Sequence, residues 1–164
     1  MKLRRSLALL LTLLLFLLSG CAGEERESEG LLLYYVPVEV TGGSALVGVK
    51  STLTAEDATV EALMEQLLAG PDDPALRSPI PWGVELQRAW LEDTCLTVDL
   101  SERYGGLTDV ELTLADYSIV LTLCQLPGVE SVRILANGRP LLSRTTQELR
   151  PDDLVLSGTP ISED

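Results

Sequence analysis

The chain has 164 residues, with 12 Lys or Arg against 25 Asp or Glu, no histidine, and a formal charge of −13. That charge speaks against a nucleic-acid partner, because binding DNA or RNA depends on neutralising phosphates and this surface repels them. The lack of histidine removes the Ser-His and Cys-His nucleophile pairs and every histidine-bearing metal site.

Lys2, Arg4 and Arg5 precede an apolar run over residues 7–18, broken only by Thr12, and small residues lead into Cys21. A basic, then apolar, then small-residue order is that of an export signal. The run is shorter than the roughly 20 apolar residues a transmembrane helix needs. Leu18-Ser19-Gly20-Cys21 resembles a bacterial lipobox, which implies removal of residues 1–20 and a diacylglyceryl group on the Cys21 thiol. An ordinary secretory signal with an incidental cysteine is the alternative. Two acyl chains, at about 0.8 kcal/mol per buried methylene, anchor a protein without a transmembrane helix. The expected location is therefore the extracytoplasmic face of the cell membrane. Cleavage leaves 9 basic and 25 acidic side chains, a formal charge of −16. Residues 22–30 carry four glutamates and no apolar side chain larger than alanine, and read as a flexible acidic tether.

Residues 31–38 form an apolar, aromatic-rich strand ended by Pro37 and a Thr41-Gly42-Gly43 turn, and residues 45–52 form a second strand. Val60, Leu63, Met64, Leu67 and Leu68 then fall at helical spacing, which predicts a helix over 58–69, stopped by Gly70 and Pro71. Residues 72–81 make a loop stiffened by Pro74, Pro79 and Pro81. Residues 84–91 and 95–100 read as an antiparallel hairpin closed by Glu92-Asp93-Thr94. Leu96, Val98 and Leu100 alternate onto its buried face, leaving Cys95 and Asp99 on the other. Trp90 shares parity with Val84 and Leu86 and is expected in the core.

Thr108 with Glu111 predicts a capping box opening a second helix that runs to about residue 126. Val110, Leu114, Tyr117, Leu121 and Cys124 are its apolar stripe. Cys95 and Cys124 then belong to different faces, and a disulfide between them is the less favoured reading of an exported chain. Residues 129–135 are a further strand, Asn137-Gly138 a two-residue hairpin turn, and 140–142 its return. Residues 149–156 add one more short segment. About 130 residues after the tether suit one domain, placed at 31–143 with 144–164 as an extension or tail. Its expected class is α+β, two helices on one face of a mixed, mostly antiparallel sheet of about four to six strands. The topology is either ferredoxin-like or a smaller helix, hairpin, helix, strand unit with strands added at its edges.

Chemistry is sparse in this pattern. Glu92, Asp93, Asp99 and Glu102 cluster around the hairpin, where two acids would be needed for a carboxylate hydrolase. Asp93 is expected in the turn, Asp99 on a solvated or edge face and Glu102 in the next loop, so no catalytic pair is expected. Asp72-Asp73 and Asp152-Asp153 lack the alternating oxygen ligands of a calcium loop, and no phosphate-cradling glycine motif occurs. No metal and no cofactor are expected. Trp82, between Pro81 and Gly83, is the exposed aromatic best placed for an interaction, with Pro79, Ile80 and Pro81 beside it.

Tyr34, the helix end Leu67-Leu68-Ala69-Gly70-Pro71, the loop Ser78-Pro79-Ile80-Pro81-Trp82-Gly83-Val84, and Val98-Asp99-Leu100-Ser101 stand in order along the chain. With Leu121-Thr122-Leu123 and Pro127-Gly128-Val129, they resemble the GerMN domain of sporulation and germination proteins over residues 31–143. The resemblance implies a non-catalytic module, often on lipoproteins of Gram-positive spore formers, related in shape to ring-building domains of envelope complexes. Gly70, Pro71, Pro81, Gly83, Asp99 and Ser101 match its pattern, with roles in turn geometry and, for Asp99, in capping the loop at 101–104. The resulting expectation is not an enzyme but a lipoprotein that binds envelope proteins through a sheet edge or the proline-rich loop. Homo-oligomerisation is open, and the alternative is a cell-wall or small-ligand binding lipoprotein using Trp82.

Overall fold

The structure, a computed structural model, describes residues 30–39 and 44–153. The expectations for residues 1–20, Cys21, the tether up to residue 29, the Thr41-Gly42-Gly43 turn and residues 154–164 lie outside the described residues. Among the described residues no helix is long and apolar enough to cross a membrane.

The strands divide into two sheets. In the first, β1 (Leu32–Pro37) lies between β2 (Val47–Lys50) and the two-residue β3 (Leu76–Arg77), all antiparallel. The second has the order β4 (Leu86–Glu92), β5 (Cys95–Leu100), β6 (Ser131–Ala136) and β7 (Arg139–Pro140), with β8 (Glu148–Leu149) also on β6. Helix α1 (Val60–Ala69) follows the first hairpin, and helix α2 (Asp109–Leu123) crosses over between the parallel strands β5 and β6. Since β1 pairs with neither β5 nor β6, the ferredoxin-like sheet is not formed. The helix, hairpin, helix, strand unit with added strands is. One apolar core joins both sheets and both helices, and α2 touches β1 of one sheet and β6 of the other.

Local chemistry explains most of these elements. Thr59 caps α1 by accepting the Ala62 N–H at 3.1 Å, and Gly70, at φ +87, ends it in a conformation that favours glycine. Asn137 and Gly138 both have positive φ, as the tight turn joining β6 to β7 requires. Cys95 and Cys124 are free thiols.

Three expectations need correction. A bulge at Gln87 shifts the register, so that Leu86 pairs with Leu100 while Arg88 pairs with Asp99. One extra residue flips strand parity. Trp90 therefore lies with Thr97 rather than with Leu86, half-buried, with the Arg88 guanidinium 5.2 Å from its ring centre. The capping box is absent: Thr108 stands at the N-cap but its side chain bonds no N–H, and Asp109 opens the helix at φ +50 where helical dihedrals would be needed.

The third correction concerns the buried side of α2. Val110 is 70 % exposed, and the stripe with Leu114, Tyr117 and Leu121 lies at the rim. The helix buries Ala115, Ile119 and Val120 together with Asp116, Ser118 and Thr122. Ser118 and Thr122, with Gln125 just beyond the helix, have partners in β1, which meets β3 only at Val36 and Pro37 and so has an open edge over Leu32 and Tyr34. Ser118 Oγ donates to the Tyr34 carbonyl at 2.6 Å, and Thr122 Oγ1 accepts the Tyr34 N–H at 3.4 Å. Gln125 accepts the Leu32 N–H at 2.8 Å and donates to the Leu32 carbonyl at 2.7 Å. A polar helix stripe takes the place of a neighbouring strand, satisfying main-chain groups that would be costly to leave unmade.

Candidate interaction surface

The proline-rich loop is built to hold one turn rigidly. The Ser78 hydroxyl bonds both the N–H and the carbonyl of Ile80 at 3.1 Å, folding the loop inward. Pro79 and Ile80 are buried and Pro81 half-buried, so the first two anchor the loop rather than presenting a contact. The Val84 N–H then bonds the Pro81 carbonyl at 3.2 Å, closing a turn with Trp82 and Gly83 at its corners. Gly83 has φ +83, the value of a type II turn at its third position, where a side chain would be strained. Trp82 projects from the first corner and is 88 % exposed. The Arg103 side chain passes over Gly83, its guanidinium 3.8 Å from where a Cβ would stand.

The residues behind this turn form its frame. Ser101 bonds Glu85 twice, donating its N–H at 2.9 Å and accepting at its Oγ at 3.1 Å. Asp99 is neither solvated nor a cap on residues 101–104. It is 2 % exposed, accepting Arg88 Nε at 2.9 Å and the Gly138 N–H at 2.7 Å. An isolated polar residue in an alternating strand reads as outward-facing, but here the β6–β7 turn folds back over it. Glu92 lies at the opposite end of the β4–β5 pair, Asp93 sits in its turn at φ +54, and Glu102 opens the short 3-10 helix 102–106. These four acids do not converge on one point. Asp73 and Asp153 accept the N–H groups of Ala75 and Arg150 in their own turns.

A cleft of about 200 Å³ separates the loop from α2, lined by Arg77, Pro79, Ile80, Pro81, Leu107 and Glu111 among others. Leu107 also borders a broader, shallower hollow of about 630 Å³ that reaches Arg139, Pro140 and Leu142. Leu142 is 93 % exposed. The surface therefore continues from Trp82 across Leu107 to the β7 return, a part that sequence reasoning did not find. Alternation patterns report buried positions, and nothing in them marks a side chain left in solvent.

Sequence reasoning also missed a buried ion pair. Asp116 accepts the Tyr104 hydroxyl at 2.6 Å and Arg144 Nε at 2.7 Å, and a second Arg144 nitrogen bonds its other oxygen. Arg144 Nη1 donates to the Ile134 carbonyl at 2.9 Å. Burial pushes the Asp116 carboxyl up, against the lowering pull of Arg144 and the Tyr104 hydroxyl; burial and Asp116 push the Tyr104 hydroxyl well up. A hollow of about 670 Å³ opens beside this pair, walled by Thr113, Tyr117, Thr145 and Asp153. Its arginine is already paired with Asp116, so this hollow offers a ligand no free cation. The pair fastens the chain after residue 143, and β8 continues that attachment along β6.

Residues 32–142 match the family described as Germane, sporulation and spore germination. The fold is similar to the first GerMN domain of the sporulation protein GerM from Bacillus subtilis, with a TM-score of 0.61 and 16 % identity. The match covers 75 % of this chain and 98 % of that one. It is similar also to the tandem GerMN domains of the same protein, with a TM-score of 0.59 and 23 % identity, covering 79 % of this chain and 46 % of that one. No curated protein matches the chain.

Proposed function

The chain belongs to the Germane family of sporulation and spore germination, and from that membership we propose that it is a lipid-anchored, extracytoplasmic module with no catalytic role that binds other cell-envelope proteins. Cys21 carries the anchor, the acidic tether gives reach, and the domain supplies the contact. The observation that carries this reading is Trp82, 88 % exposed on a turn whose base is tied down at Ser78 and Pro81. Tryptophan is enriched among residues that dominate binding energy, and a rigid turn loses little entropy on docking. The small-ligand alternative is less well supported. The cleft beside Trp82, at about 200 Å³, falls below the roughly 300–1,000 Å³ of ordinary ligand pockets.

The test is a crosslinking capture of the tagged chain from intact cells, repeated with the domain deleted behind the same anchor. Envelope proteins recovered only with the domain present are expected. Recovery of wall fragments alone, or of the same proteins without the domain, contradicts the reading. Cys21→Ser is expected to abolish lipidation and release the chain from membranes, and retention at unchanged levels would argue against the anchor.

A further inference from the structure

Helix α2 gives the domain two distinct ends. Its C-terminal end receives the chain from the N-terminal side, because Gln125 holds both main-chain groups of Leu32. Its N-terminal end borders the cleft under the proline-rich loop, through Leu107, Glu111 and Leu114. The helix has 15 residues, or about 22 Å at 1.5 Å per residue. Trp82 and Leu142 thus stand at the end of α2 away from Leu32, where the chain enters the domain.

The arginines divide by whether they have an acidic partner. Among the described residues, Arg88, Arg133, Arg144 and Arg150 each have a carboxylate within 4.0 Å, whereas Arg77, Arg103 and Arg139 have none. These three exposed arginines border the Trp82–Leu107–Leu142 surface, which Glu85, Glu102 and Glu111 share. Residues 51–76, by contrast, hold Glu56, Asp57, Glu61, Glu65, Asp72 and Asp73 and no basic residue. In a chain of −13, three arginines with no carboxylate within 4.0 Å, beside exposed Trp and Leu, make a surface that can pair with carboxylates around an apolar socket.

Resting on the function proposed above, we propose that this surface docks an acidic protein of the extracytoplasmic space, whose carboxylates pair with Arg77, Arg103 and Arg139 while Trp82 fills an apolar socket. Trp82 supplies buried area and the arginines supply orientation and selection by charge. A lipid surface does not fit, because a chain of −13 is repelled by anionic headgroups.

The experiment places a photo-crosslinking amino acid at position 142, 85 or 65 of the full-length chain in intact cells, Glu65 being exposed on α1 outside the patch. One protein is expected to crosslink from both 142 and 85 and not from 65, through a segment rich in Asp and Glu. Trp82→Ala or Arg103→Glu is expected to lower that yield at least about tenfold. Arg139→Glu, away from the turn, is expected to lower it in the same direction even if Arg103→Glu disturbs folding. Crosslinks to a second copy, to lipid or to wall polymer, or yields indifferent to the charge reversals, would overturn the inference. Capture of a protein from 65 alone overturns it but spares the proposed function, whereas no protein captured from any position removes both.

Discussion

At the C-terminal end of α2, Ser118, Thr122 and Gln125 bond the main-chain groups of Leu32 and Tyr34 that face them. At its N-terminal end Trp82, Val110 and Leu142 stand largely in solvent, and Arg77, Arg103 and Arg139 on that surface have no carboxylate within 4.0 Å among the described residues. The same helix is closed at one end and open at the other. Stability and binding should accordingly respond to different residues, since satisfied buried polar groups hold a fold together while exposed aromatic side chains add little to it.

The largest effect is expected between the two ends, where Arg144 meets Asp116. Arg144→Ala removes one member of a buried pair and leaves the other uncompensated, which should cost about 3–5 kcal/mol of unfolding free energy in urea. A loss near zero would mean that the pair does not hold the chain beyond residue 143 to the domain. Gln125→Ala strips both Leu32 main-chain groups of partners and is expected to cost about 1–3 kcal/mol. Earlier hydrogen exchange in β1 would accompany it, and unchanged exchange would break the comparison at its closed end.

Alkali should weaken the closed end gradually. Burial pushes the Cys124 thiol from 9.0 up to about 11. The folded chain therefore holds this proton more tightly than the unfolded chain does. Its contribution is fully present below pH 9.0 and is lost as pH rises through about 11, amounting to about 1 kcal/mol after allowance for partial exposure. Cys124→Ala should flatten that part of the stability profile, and an unchanged slope would show that the thiol is not its source. The smallest effect belongs to the open end. Trp82→Ala should change stability by less than about 0.5 kcal/mol, and a larger loss would mean that the indole packs rather than waits.

Much of the fold was legible because its signals are local. The spacing of Val60, Leu63, Met64 and Leu67, the Gly70 stop, the Asn137-Gly138 turn and the β4–β5 hairpin each rest on a few adjacent residues. Trp82 was legible for the same reason, since Gly83 and the prolines around it announce a fixed turn. What escaped depends on residues far apart in sequence. Ser118 and Thr122 fall outside the apolar stripe, and their partner is the open edge of a strand more than 80 residues earlier. Asp99 was assigned to a solvated or edge face because Gly138 comes 39 residues later. The bulge at Gln87 moved Trp90 to the other face without any glycine or proline to mark it.

The most direct test compares the wild-type chain with Trp82→Ala in two assays on the same preparations, urea unfolding and crosslinked capture from cells. The account predicts equal unfolding free energies and loss of the captured envelope protein in the variant. Equal capture by both chains, or loss of capture only in parallel with loss of stability, would contradict it.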